Sequence, residues 1–104
     1  MASRLIWHTR AACDLEAIYE YIAIEKQEPE RAAKLARQLY AEVQSISENP
    51  ELGRMIPDFE RTDLRERILR GYRIAYLVQP QQVVVLTIWN SVRLVPDILS
   101  LIQG

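Results

Sequence analysis

Cysteine is nearly absent from this chain: Cys13 stands alone, and one thiol cannot close an internal disulfide. No Cys/His spacing suggests zinc, so we expect no metal and no cofactor. Histidine is as scarce, with His8 the only one, and lysine occurs only at Lys26 and Lys34. No apolar run approaches the roughly 18 residues of a membrane helix. The most apolar stretch, Val83 to Leu86 followed by Thr87, Ile88 and Trp89, is strand length. Met1 to His8 lacks the apolar stretch of a secretory leader. Repeats, linkers and low-complexity segments are also missing. These absences lead us to expect a soluble, cytoplasmic chain with no membrane partner, folded as one domain over residues 1–104.

Apolar residues make up 49% of the chain, enough for a core and too many for disorder. A domain of this size buries only part of its apolar surface, which is compatible with an obligate partner. Net charge is -1, but it is unevenly spread. Met1 to Glu60 holds seven basic and eleven acidic residues, a balance of -4. Arg61 to Gly104 holds six basic and three acidic residues, a balance of +3. All six are arginines: Arg61, Arg65, Arg67, Arg70, Arg73 and Arg93. Their planar forks suit phosphate or carboxylate better than lysine does.

The spacing of apolar residues predicts the elements. Arg4 to His8 reads as a first strand. Thr9 offers an N-cap hydroxyl. Ala12, Leu15, Ile18, Tyr19 and Ile22 then recur at helical steps, with Asp14, Glu16 and Glu20 read as a solvated face. Pro29 suits the start of a second helix, whose stripe is Ala32, Leu35, Ala36, Leu39, Val43 and Ile46. That helix should stop near Asn49, ahead of Pro50. Pro50 to Asp63 reads as a loop. Three strands follow: Leu64 to Arg70, Tyr72 to Val78 after Gly71, and Val83 to Trp89 after a turn at Pro80 to Gln82. The last strand is apolar on both faces, as a central strand covered on both sides would be. Pro96 can open a final helix through Leu101, and the form of the tail Val95 to Gly104 is left open. The order is β-α-α-β-β-β, an α+β fold with a small antiparallel sheet packed on a helical hairpin.

These segments, taken in order, resemble the RelE/ParE superfamily of toxins from type II toxin–antitoxin systems. The residues that carry the likeness are DLEAIYEYI up to Ile22, LARQLYAEV up to Val43 and NPELGR (Asn49 to Arg54). LRE (Leu64 to Glu66), GYRIAYLV (Gly71 to Val78) and VVVLTIWNSVR (Val83 to Arg93) complete it. The resemblance implies a cognate ParD/RelB-like antitoxin, hence a hetero-oligomer. RelE-like members cut messenger RNA on the ribosome, and ParE-like members act on DNA gyrase.

RNA cleavage by 2′-hydroxyl attack needs a base, an acid and a phosphate stabiliser. After Arg93 the chain reads LVPDILSLIQG, without Tyr, His or Lys, and arginine is a poor general base. The acid/base set of an mRNA endoribonuclease is therefore incomplete. The tail, the Gly53-Arg54 turn and the LRE strand look more like ParE. We expect a gyrase inhibitor that binds its target through Arg65, Arg67, Arg70, Tyr72, Arg73 and Arg93. The alternatives are a RelE-like nuclease acting on the ribosome and its mRNA, and a non-toxic member that only binds antitoxin. Of the other candidates, Arg54 is expected to brace its loop on a carboxylate such as Asp58. Tyr76 and Trp7 are read as core, Trp89 as core or partner interface. Cys13 is read as a packing residue and His8 as structural.

Overall fold

The computed structural model describes residues 3–102. The outermost positions of the chain, including the last two of the tail Val95 to Gly104, lie outside them. The elements run β1 (Arg4–Trp7), α1 (Thr9–Glu20), a π-helical turn (Tyr21–Glu25) and α2 (Pro29–Glu48). A 3-10 turn (Pro50–Leu52), β2 (Arg54–Met55), β3 (Leu64–Leu69), β4 (Tyr72–Val78), β5 (Gln82–Asn90) and α3 (Ile98–Ile102) follow.

Local chemistry sets the helix ends. His8, rather than Thr9, caps α1: its Nδ1 accepts from the Arg10 N–H at 3.0 Å. An imidazole nitrogen with a free lone pair serves here as a hydroxyl would. Beyond Glu20 one extra residue enters the helical turn, and Lys26 donates its N–H to the Tyr21 carbonyl at 3.1 Å. The helix thus runs further than its apolar spacing suggests. Pro29 opens α2, whose end at Asn49 precedes Pro50 as its backbone restriction requires.

The five strands lie in the order β1-β5-β4-β3-β2. The pairs β2–β3, β3–β4 and β4–β5 are antiparallel, whereas β1 runs parallel to β5. The helical hairpin bridges that parallel crossover and covers one face. There Ala11, Ile22, Leu39, Val43 and Ile46 pack on Ile74, Tyr76, Val83, Val85 and Ile88. The opposite face holds a second core of Ile56, Leu64, Ala75, Leu77, Leu86, Trp89 and Ile98. The two-sided burial of β5 has its cause in these two cores. Each fully buried aliphatic side chain contributes about 1.5–3 kcal/mol.

A bulge interrupts β4–β5: Ala75 faces Thr87, but Tyr76 faces Val85. In an unbroken strand Leu86 and Ile88 would share a face. The inserted residue sends Leu86 to the second core and Ile88 to the first. It also turns Thr87 toward α1. Because β1 ends at Trp7, β5 has no strand neighbour on that side beyond Val85. Asp14 fills the gap. Its Oδ2 accepts from Thr87 Oγ1 at 2.5 Å and from the Ile88 N–H at 2.9 Å, while Arg10 donates to Oδ1. Asp14 is thus an anchor of helix to sheet and not part of a solvated face. Asp14→Ala should lower stability by about 1–3 kcal/mol, because it orphans a strand N–H and a hydroxyl. Urea unfolding monitored by circular dichroism measures this.

Candidate functional site

Alternation along β3 sends Leu64 and Glu66 to the face opposite the helices, and Arg65 and Arg67 toward them. The Glu66 side chain is fully buried. Charge in that position requires partners, and two guanidiniums supply them. Arg54, paired with Glu66 across β2–β3, approaches Oε2 with Nε at 3.0 Å and Nη2 at 2.9 Å. Arg73 donates from Nε to Oε1 at 2.6 Å. Its Nη2 lies 3.5 Å from Asp58, and its guanidinium sits 4.8 Å from the Trp89 ring centre. Arg54 therefore braces its loop on Glu66, and Asp58 serves Arg73 instead. Trp89 is core, and its buried Nε1–H has no partner among the described residues.

On the helical side Arg67 donates from Nε to Glu42 on α2 at 2.7 Å. Arg65 donates from Nη1 to the Gly53 carbonyl at 2.8 Å. The fully buried Tyr76 hydroxyl donates to the Pro50 carbonyl at 2.8 Å and accepts from the Gly53 N–H at 2.7 Å. A Cβ on residue 53 would stand 2.5 Å from that hydroxyl and 2.5 Å from the Glu66 carbonyl oxygen, so only glycine fits. Burial raises the Tyr76 hydroxyl above the ordinary tyrosine range. The Gly53 hydrogen bond and the charges of Arg65 and Arg67 oppose that shift, and Glu42 adds to it. Arg61 makes a two-pronged pair with Asp63, at 2.9 and 2.7 Å, and this hydrogen bond lowers the Asp63 carboxyl.

The remaining residues gather at one end of the sheet. Leu69 pairs with Tyr72, which leaves Arg70 and Gly71 as a two-residue turn. Their φ angles are 53° and 82°, both left-handed. Tyr72 is half-buried against the helical core and pairs with Asn90. Ser91 donates its N–H to the Gly71 carbonyl at 2.8 Å, which sets the segment after β5 beside the hairpin turn. Arg93 follows, exposed. Among the described residues, Arg70 and Arg93 pair with no carboxylate.

The six expected binding residues therefore divide three ways. Arg65 and Arg67 bind segment 52–53 and α2, Arg73 is clamped on the opposite face, and Arg70, Tyr72 and Arg93 meet at the sheet end. Sequence reasoning missed Glu42 and the Tyr76 hydroxyl as clamps, and it missed β2. The signal for the buried pair was Glu66 alternating with arginines in a strand.

Glu66→Gln should cost about 3 kcal/mol, because two guanidiniums lose their counter-charge and one of them is nearly buried. Thermal melting reads this directly. Tyr76→Phe should cost about 1–3 kcal/mol for each backbone group it orphans. The pH dependence has a fixed sign. Unfolded tyrosine ionises near pH ~10 and native Tyr76 above it, so above that pH the unfolded state binds fewer protons. Wild-type stability should fall as pH rises through this window, and the Tyr76→Phe variant should lack that share of the fall. Urea midpoints between neutral and strongly alkaline pH check it.

Comparison with known proteins bears on what this architecture is. A family model described as the ParE toxin of type II toxin–antitoxin systems, parDE, matches residues 5–95. A search of curated proteins finds no match. Among solved structures, the chromosomal ParDE system from P. aeruginosa is similar at a TM-score of 0.69 and 25% identity, over 86% of this chain and 96% of that one. A double mutant of the E. coli toxin RelE in the free state gives 0.63 and 20%, over 88% and 85%. The RelBE2 toxin–antitoxin complex from Mycobacterium tuberculosis gives 0.57 and 16%, over 86% and 92%. The last two speak to fold alone. With residues 5–95 matched, from β1 through β5, the chain belongs to the ParE toxin family of type II toxin–antitoxin systems.

Proposed function

We propose that this toxin inhibits DNA gyrase without being an enzyme, and that a cognate ParD/RelB-like antitoxin neutralises it. The observation that carries this reading is the company kept by Arg70 and Arg93, the two arginines of the Arg61–Gly104 half that no side-chain hydrogen bond or ion pair engages among the described residues. The segments around them, residues 68–72 and 90–94, hold no Lys, His, Asp or Glu. Tyr72 is committed to the core, His8 to capping α1, and the lysines lie at or on the helices. Phosphate could be bound at this end, but neither segment itself carries a base to take a 2′-hydroxyl proton. Binding without chemistry suits a protein target. In this reading Arg70 and Arg93 face the target. Arg65, Arg67, Tyr72 and Arg73 hold the sheet that presents them.

For the antitoxin, the supporting surface is the open groove of Trp7, Leu15, Tyr19 and Tyr40 between β1 and the two helices. Trp7 and Tyr40 stack at 6.0 Å, and Tyr40 is 51% exposed. Glu16 lies at the rim. An amphipathic antitoxin segment with basic residues beside its apolar stripe would fit it. The P. aeruginosa and M. tuberculosis relatives are themselves described as toxin–antitoxin assemblies.

Supercoiling by purified gyrase should be lost, or cleaved DNA should accumulate, when the chain is added, and antitoxin should reverse the effect. Unaffected gyrase in the presence of folded protein contradicts the reading. Cleavage of ribosome-bound mRNA would replace it with the nuclease alternative. In a titration, Tyr19→Ser/Tyr40→Ser should weaken antitoxin binding by about tenfold or more while the far-ultraviolet spectrum is unchanged.

A further inference from the structure

The turn after β5 exposes apolar side chains that the fold has no use for. Val92 is 88% exposed and Leu94 is 94% exposed, and they flank Arg93. Isolated exposed aliphatics are ordinary on a surface, but here two of them stand together with a free cation between them. The turn is also built. Asn90 Oδ1 accepts from the Val92 N–H at 3.0 Å, the Asn90 carbonyl accepts from the Arg93 N–H at 3.0 Å, and Ser91 is tied to Gly71. A turn held in this way loses little freedom when it docks.

Arg70, across that Ser91–Gly71 bond, points the same way by a different route. It holds φ 53° in the first position of a two-residue hairpin turn, where asparagine or glycine sits more easily. Its side chain makes no ion pair among the described residues. A strained backbone position occupied by a residue that does nothing for the fold is a pointer to function. No Asp or Glu occurs in the chain between Glu66 and Asp97, so neither turn carries an acid of its own.

We propose that the turn Ser91–Leu94 is a wedge that inserts Val92 and Leu94 into an apolar pocket of a protein target, with Arg93 and Arg70 meeting carboxylates at the pocket rim. This rests on the toxin reading above and specifies the chemistry of its target site. A protein is favoured over nucleic acid by the side chains themselves. Nucleic-acid surfaces are polar, and single strands are gripped by aromatic stacking, which the aliphatic Val92 and Leu94 do not provide. A buried apolar anchor inside a charged rim is the ordinary anatomy of a protein interface.

The test compares wild type with Val92→Ser/Leu94→Ser, Arg93→Gln and Arg70→Asn. It reads growth arrest on expression, binding to purified gyrase, antitoxin affinity and melting temperature. The serine pair and Arg93→Gln should each lower gyrase binding by about tenfold or more and relieve arrest, with antitoxin affinity and melting temperature unchanged. Arg70→Asn should melt a few degrees higher yet bind more weakly, a combination a structural role cannot produce. Full arrest by the serine pair overturns the proposal. Loss confined to Arg93→Gln and Arg70→Asn, with a steep salt dependence, assigns the surface to nucleic acid and overturns it too. Loss of antitoxin binding with arrest retained gives the surface to the antitoxin. If wild type arrests growth but ignores gyrase while the serine pair relieves arrest, the wedge stands and the gyrase reading falls. A wild type that arrests nothing overturns both.

Discussion

The carboxylate of Glu66 is the constraint around which this end of the fold is arranged. It lies out of water on a strand, and a buried charge is tolerated only with partners at close range. Arg54 and Arg73 meet that need from opposite neighbours, β2 and β4. Through Arg54 the pair fixes an edge strand of two residues, too short to pair by itself. Through Arg73 it reaches Asp58 and the Trp89 ring, and so joins the loop after β2 to the second core. Tyr76 pins the same stretch from the other face by holding Pro50 and Gly53. Chain 50–58 thus holds only a three-residue 3-10 turn and a two-residue strand of its own, but it is held from both faces of the sheet.

The arginine-rich half of the chain follows from this division of labour. Arg61, Arg67 and Arg73 are committed to Asp63, Glu42 and Glu66, and Arg65 to a carbonyl. Of the six arginines in this half, only Arg70 and Arg93 are left without a side-chain partner among the described residues. Both sit where β-strands end and turns begin, the part of a sheet least needed for packing and most open to change. On the proposed reading the toxin offers two surfaces, the sheet end to its target and the helical groove to its antitoxin. Here the charged sheet end and the apolar helical groove lie on different elements, which keeps the two chemistries apart.

Much of this was legible in the sequence, for identifiable reasons. β4 spans Tyr72–Val78 as expected, because Gly71 and the Pro80 turn bound a clean alternation. The helical hairpin followed from two apolar stripes and Pro29. Other features are set by distant contacts and leave no local trace. β2 exists because Arg54 meets Glu66, and Asp14 is an anchor only because β1 stops at Trp7 and the bulge swings Thr87 toward it. The parallel β1–β5 pair depends on where the hairpin returns the chain. The five arginines expected to bind the target were not separated by residue type. Strand parity and the left-handed φ of Arg70 separate them, and neither carboxylate distance nor backbone angle can be read from residue type.

The central claim is that these arginines are of two kinds, and a paired scan tests it most directly. Single Arg→Ala variants at 65, 67, 70, 73 and 93 would each be assayed for melting temperature and for growth arrest. The account predicts that positions 65, 67 and 73 lose stability, and that positions 70 and 93 melt at or above the wild-type temperature while arrest fails. Loss of arrest at 73 without loss of stability, or normal arrest at both 70 and 93, would contradict it.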